Sequence, residues 1–120
     1  MKTVVVTGAT SFIGVHLIQE LQKEYPQVYA VVRPSSKHLS RLNKCQGVQI
    51  IPCFLQEMER LAELIPEQID VFYHLAWEGA RQPYRDDKII QQINYEAAVQ
   101  AYLVAKDKKC KKFIGVGPLS

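Results

Sequence analysis

An α/β fold with a doubly wound parallel sheet is predicted for this chain by three features of its sequence. Five short apolar runs, most rich in β-branched residues, recur along its 120 residues. Helix-patterned segments separate them, and the first run enters a helix through the small-residue turn Thr7-Gly8-Ala9-Thr10-Ser11. Strands alternating with helices at this spacing imply right-handed crossovers, hence parallel pairing with helices on both faces. The order 3-2-1-4-5 follows, with a ligand crevice between the carboxyl ends of the first and fourth strands.

The first strand, MKTVVVT at residues 1–7, is a continuous run of the kind buried on both sheet faces. After the turn at Gly8, the residues Ile13, Leu17, Ile18 and Leu21 recur at helical spacing, and Pro26 bars continuation. VYAVV at 28–32 is the second strand, running into Arg33-Pro34. Residues 37–43 suggest a short polar helix, and 48–51 the third strand, closed by Pro52. Met58, Leu61, Leu64 and Ile65 again have helical spacing up to Pro66, and DVFYHLA at 70–76 reads as the fourth strand. A loop with Gly79 and Pro83 leads to a long helix over 86–106, carrying Ile89, Ile93, Ala97, Tyr102 and Leu103, and then to a fifth strand at 113–116.

A 48% hydrophobic and 22% charged composition is that of a globular protein, and 120 residues suit one domain, spanning 1–120. The net charge of +3 comes largely from Lys106, Lys108, Lys109, Lys111 and Lys112. That cluster reads as a solvated helix end and not as a nucleic-acid surface. Three cysteines without a CxxC pair, and no signal-peptide pattern before the first strand, point to a reducing cytoplasm. No apolar run approaches the roughly 20 residues of a membrane span. His16, His38 and His74 are dispersed without metal-ligand spacing, so no metal site is expected, and His74 reads as a strand histidine satisfied by a nearby backbone group.

The turn over residues 7–14 carries the chemistry. Small residues at Gly8 and Ser11 bring backbone N–H groups close to an anion at a helix N-terminus, where unpaired donors and the dipole favour negative charge. Gly14 is expected to let the helix pack closely on the sheet.

This stretch resembles the TGxxGxxG motif of the extended short-chain dehydrogenase/reductases, a family that includes NAD(P)-dependent nucleotide-sugar epimerases and dehydratases. DVFYHLAW at 70–77 is similar to the family's fourth strand, Asn94 to an asparagine of its long helix, and KKFIGVG at 111–117 to its fifth strand. The resemblance implies a Rossmann-like domain, truncated relative to the family and lacking its substrate domain. It implies that Gly8, Thr10, Ser11, Phe12, Ile13 and Gly14 hold a pyrophosphate, the Ser11 hydroxyl donating to phosphate where the family has glycine. By the same resemblance, Leu75, Ala76 and Trp77 are expected on the ribose and nicotinamide side. Arg33 stands where an acid would take the ribose hydroxyls of NAD, and a guanidinium there favours a 2′-phosphate, so the expected cofactor is NADP in preference to NAD. Ser35, Ser36 and Lys37 add to that pocket. Phe54-Leu55 replaces the family's Asp-Leu pair, leaving the Leu55 N–H to serve the adenine and the Phe54 ring to stack on it.

The family's proton-transfer pair, Tyr-x-x-x-Lys, belongs beyond the fifth strand. Tyr84 with Lys88 and Tyr102 with Lys106 have the spacing but precede that place, and Pro118 stands where the family's serine is expected. No catalytic residue is therefore assigned. The expected function is the NAD(P)-binding portion of an epimerase/dehydratase-type oxidoreductase or isomerase acting on a nucleotide sugar or similar substrate, inactive alone. The alternatives are a stand-alone dinucleotide-binding or interaction module and a degenerate remnant. An exposed fifth strand would also favour homo-oligomers.

Overall fold

The computed structural model describes residues 2–34, 38–76 and 88–115. Strands β1 (Thr3–Thr7), β2 (Gln27–Val32), β3 (Gln49–Pro52), β4 (Val71–His74) and β5 (Lys112–Gly115) form one sheet in the order β3-β2-β1-β4-β5. All four neighbouring pairs are parallel. The predicted winding is the observed one. The triple valine of β1 lies at its centre because side chains alternate across a sheet and both faces here are covered. Val4 and Val6 pack with Val15, Ile18 and Leu21 of α1 (Phe12–Leu21), while Val5 packs with Phe72 and with Ala97 and Ala101 of α3 (Lys88–Asp107). The outer strands β3 and β5 are largely exposed, and among the described residues β5 pairs only with β4.

Three segments differ from expectation. The polar helix after β2 is a 3-10 turn, Leu39–Lys44, which buries Leu42 and the following Cys45 under α1. After β3 the chain forms a 3-10 segment, Leu55–Arg60, and only one α-turn, α2 (Leu61–Leu64). The reason is in the spacing: Leu55, Met58 and Leu61, all buried, recur every third residue, which aligns them on a helix of three residues per turn. Along α3 the buried stripe is Asn94, Ala97, Ala101, Val104 and Ala105, whose mostly small side chains face the sheet. Ile89 is 75% exposed, and Tyr102 and Leu103 also face outward.

The helix end also differs from a simple solvated cluster. Lys109 takes φ 55°, the Cys110 N–H bonds to the Ala105 carbonyl at 2.9 Å and the Lys109 N–H to that of Lys106 at 3.1 Å. This is a Schellman closure with lysine in the place usually given to glycine. Lys108 is only 2% exposed, with Nζ 3.6 Å from Glu67 Oε1. No helix among the described residues is long and apolar enough to cross a membrane.

Candidate functional site

The carboxyl ends of β1, β2 and β4 border a cavity of about 530 Å³, within the usual range for ligand sites. Its geometry begins with Thr7, the last residue of β1. The Thr7 hydroxyl oxygen accepts hydrogen bonds from the N–H groups of Leu75 at 3.0 Å and Ala76 at 3.2 Å. Both of its acceptor positions are then used, so its proton goes to His74 Nδ1, 2.8 Å away. His74 is therefore satisfied by a side chain and not by the backbone group expected. Burial lowers its pKa to about 4, so the ring is neutral with its proton on Nε2, an atom that is buried and has no partner among the described residues.

Gly8 follows with φ +67°, and a Cβ there would lie 2.8 Å from the Leu75 carbonyl carbon and oxygen. The end of β4 thus rests directly on the first glycine. Ser11 is the N-cap of α1: its hydroxyl accepts from the Gly14 N–H at 2.9 Å and donates to the Gly8 carbonyl at 2.8 Å. The hydroxyl proton expected to reach a phosphate is already committed inside the turn. The role left to Ser11 is to cap the helix, while the Phe12 and Ile13 amides open it without intrahelical acceptors. Gly14 is required by the turn and not by helix-to-sheet packing, since a Cβ on it would sit 2.5 Å from the Gly8 carbonyl oxygen and 3.0 Å from that of Ala9.

Gly8, Thr10, Ser11, Arg33, Leu55, Leu75 and Ala76 of the expected residues line the cavity together. Phe12 and Ile13 do not line it with their side chains; Phe12 is 74% exposed, its ring packed on His16 with 4.5 Å between centroids. Phe54 is 45% exposed and absent from the lining, whereas its neighbours Cys53 and Leu55 are buried and face the cavity. The backbone expected to stack Phe54 on a base instead alternates it outward. Trp77, Ser35, Ser36, Lys37, Tyr84 and Pro118 lie outside the described residues. Tyr102 and Lys106 sit on the outer side of α3, where Tyr102 meets the Phe113 ring edge-on at 5.6 Å, and neither lines the cavity.

Arg41, His38, Cys53 and Met58, to which the sequence assigns no part in the site, also line the cavity. Arg41 Nη1 donates to the Thr10 carbonyl at 3.0 Å, tying the 3-10 turn after β2 to the glycine turn. The signal was weak: a basic residue in a short polar helix is normally a solvated one. Thr7 and His74 were also missed as partners, although the pairing of β1 with β4 puts Thr7 opposite His74.

The model of the NAD dependent epimerase/dehydratase family matches residues 4–117. Among solved structures, the chain is similar to an epimerase from Methanothermobacter thermautotrophicus, with TM-score 0.81 and 21% identity over 95% of this chain and 34% of that one. It is similar to UDP-N-acetylglucosamine 4-epimerase from Methanobrevibacter ruminantium, with TM-score 0.73 and 27% identity over 93% of this chain and 36% of that one. UDP-glucose 4-epimerase from Thermotoga maritima gives TM-score 0.75 and 23% identity over 94% and 37%. The chain spans about a third of the length of these structures. No curated protein matches it significantly.

Proposed function

Because this chain belongs to the NAD-dependent epimerase/dehydratase family, we propose that it is the dinucleotide-binding portion of an oxidoreductase or isomerase of that family, holding NADP in preference to NAD. A nicotinamide dinucleotide is the cofactor class of the family. The observation that carries the finer reading is that Arg33, at the end of β2, shares one cavity with the glycine turn, and no acidic side chain is among the described residues lining it.

The residues fit such a cofactor. The open amides of Phe12 and Ile13 suit the pyrophosphate, with the α1 dipole adding to their pull. Cys53, Leu55 and Met58 give an apolar surface for the base, and the Leu55 N–H, at the start of its 3-10 segment, is the donor proposed for it. Leu75 and Ala76, fixed by Thr7, form the side assigned to the ribose and nicotinamide, with Trp77 following. When bound, the nicotinamide supplies hydride exchange with a substrate carbon, for which a nucleotide sugar or similar compound is proposed. Tyr102 and Lys106 stand away from the cavity and are given no proton-transfer role; binding without turnover is the reading proposed for the chain alone. Its three free cysteines suit a reducing cytoplasm.

Calorimetric titration of the purified chain with NADPH and NADH tests this. Tighter NADPH binding, and no oxidation or epimerisation of UDP-sugars, is expected; equal or tighter NADH binding overturns the assignment of Arg33.

A further inference from the structure

Resting on that cofactor reading, we infer that His74 is a positioning residue of the site. By taking the Thr7 proton it aims both lone pairs of that hydroxyl at the Leu75 and Ala76 amides, and so sets the cavity wall assigned to the nicotinamide half of the dinucleotide. A hydroxyl has one proton to give and two positions at which to accept. The Leu75 and Ala76 N–H groups fill both acceptor positions, at 3.0 and 3.2 Å, which leaves His74 Nδ1, at 2.8 Å, to take the proton. Thr7 and His74 are both buried, so bulk water does not replace a partner that is lost.

The two amides depend on this arrangement unequally. The Leu75 N–H also reaches the Thr7 carbonyl at 3.3 Å, continuing the ladder of β1 and β4, whereas among the described residues the Ala76 N–H has the hydroxyl as its acceptor. At Ala76 control of the backbone thus passes from the strand ladder to a side chain. Leu75 and Ala76 line the cavity and His74 does not, so His74 acts on a ligand only through Thr7. The close approach of Gly8 to Leu75 sets how near this peptide lies to the glycine turn, and the hydroxyl bonds set how it is turned. Without an acceptor at Nδ1 the hydroxyl has no fixed rotation about its C–O bond, and the Ala76 N–H loses a steady partner.

The test is calorimetry on the full chain, His74→Leu and His74→Asn, with circular dichroism to confirm folding. The ligands are NADPH and NADH and their adenine halves, 2′,5′-ADP and AMP, which lack the ribose and nicotinamide assigned to Leu75 and Ala76. His74→Leu is expected to weaken both dinucleotides by roughly tenfold, the scale of one hydrogen bond, and to leave the adenine halves unchanged. His74→Asn, which returns an acceptor to the place of Nδ1, restores most of the loss. Equal weakening of dinucleotides and halves makes His74 a structural residue only and overturns the inference. So does a His74→Asn chain that binds no better than His74→Leu. If His74→Leu does not fold, nitrogen NMR of the unsubstituted chain decides: the His74 Nδ1 resonance is expected to move when a dinucleotide binds and to stay when its adenine half binds, and the same response to both overturns the inference. Dinucleotide binding that His74→Leu leaves intact overturns this inference and spares the cofactor reading, whereas an unsubstituted chain that binds neither dinucleotide overturns both.

Discussion

The Thr7 hydroxyl gives its proton to Nδ1 of His74, 2.8 Å away, while accepting the N–H groups of Leu75 and Ala76. One side chain thus binds the end of β1 to the end of β4 at three points. Thr7→Val removes the hydroxyl and strands a part-buried Ala76 N–H and a buried ring nitrogen. A loss of about 1–3 kcal/mol in chemical denaturation is expected, mostly from the unpaired buried ring nitrogen, with Thr7→Ser recovering most of it.

Neutral His74 makes folding pH-dependent. Its folded pKa, lowered by burial to about 4, lies below its ordinary value of 6.5, so the unfolded chain binds more protons between these limits. Stability is complete above about pH 6.5 and falls as pH drops toward 4, by up to about 3 kcal/mol. His74→Asn, which keeps an acceptor for Thr7, flattens that slope in denaturation measured across the window.

Gly14→Ala reverses the usual helix rule. Alanine in a helix interior is normally better than glycine by about 1 kcal/mol. Here its Cβ would meet the Gly8 carbonyl oxygen at 2.5 Å, and that atom belongs to the backbone. Thermal unfolding is expected to show destabilisation of about 2 kcal/mol or more, together with weaker dinucleotide binding.

The cap at Ser11 separates two substitutions. Ser11→Ala loses the bond to the Gly14 N–H and costs about 1 kcal/mol, whereas Ser11→Gly costs only a few tenths, roughly 0.3 kcal/mol, by the usual ranking of cap residues. Helix content and melting temperature of the two variants measure the difference.

What local pattern encodes was legible, and what distant contacts create was not. The valine run, the turn at Gly8 and the alternation of strands and helices are contiguous signals, and they lead to the observed winding. Arg41 reaches Thr10 across 31 positions and Thr7 reaches His74 across 67, distances at which periodicity carries no information. Ser11 was legible as a polar residue at a helix start, but the direction of its proton depends on where the Gly8 carbonyl points. The 3-10 stripe of Leu55, Met58 and Leu61 was present in the sequence at a spacing of three and was absorbed into a helical reading that also admits four.

The contact of Gly8 with the Leu75–Ala76 peptide means that the two strands meet at the mouth of the cavity main chain against main chain. At that crossing the approach of the two strands is set by main-chain atoms, with no room for a Cβ at position 8. Side chains around it are able to change without moving it, which makes this crossing a fixed gauge on which different ligand-facing residues can be mounted. Any residue with a Cβ at position 8 would reset the gauge for all of them at once.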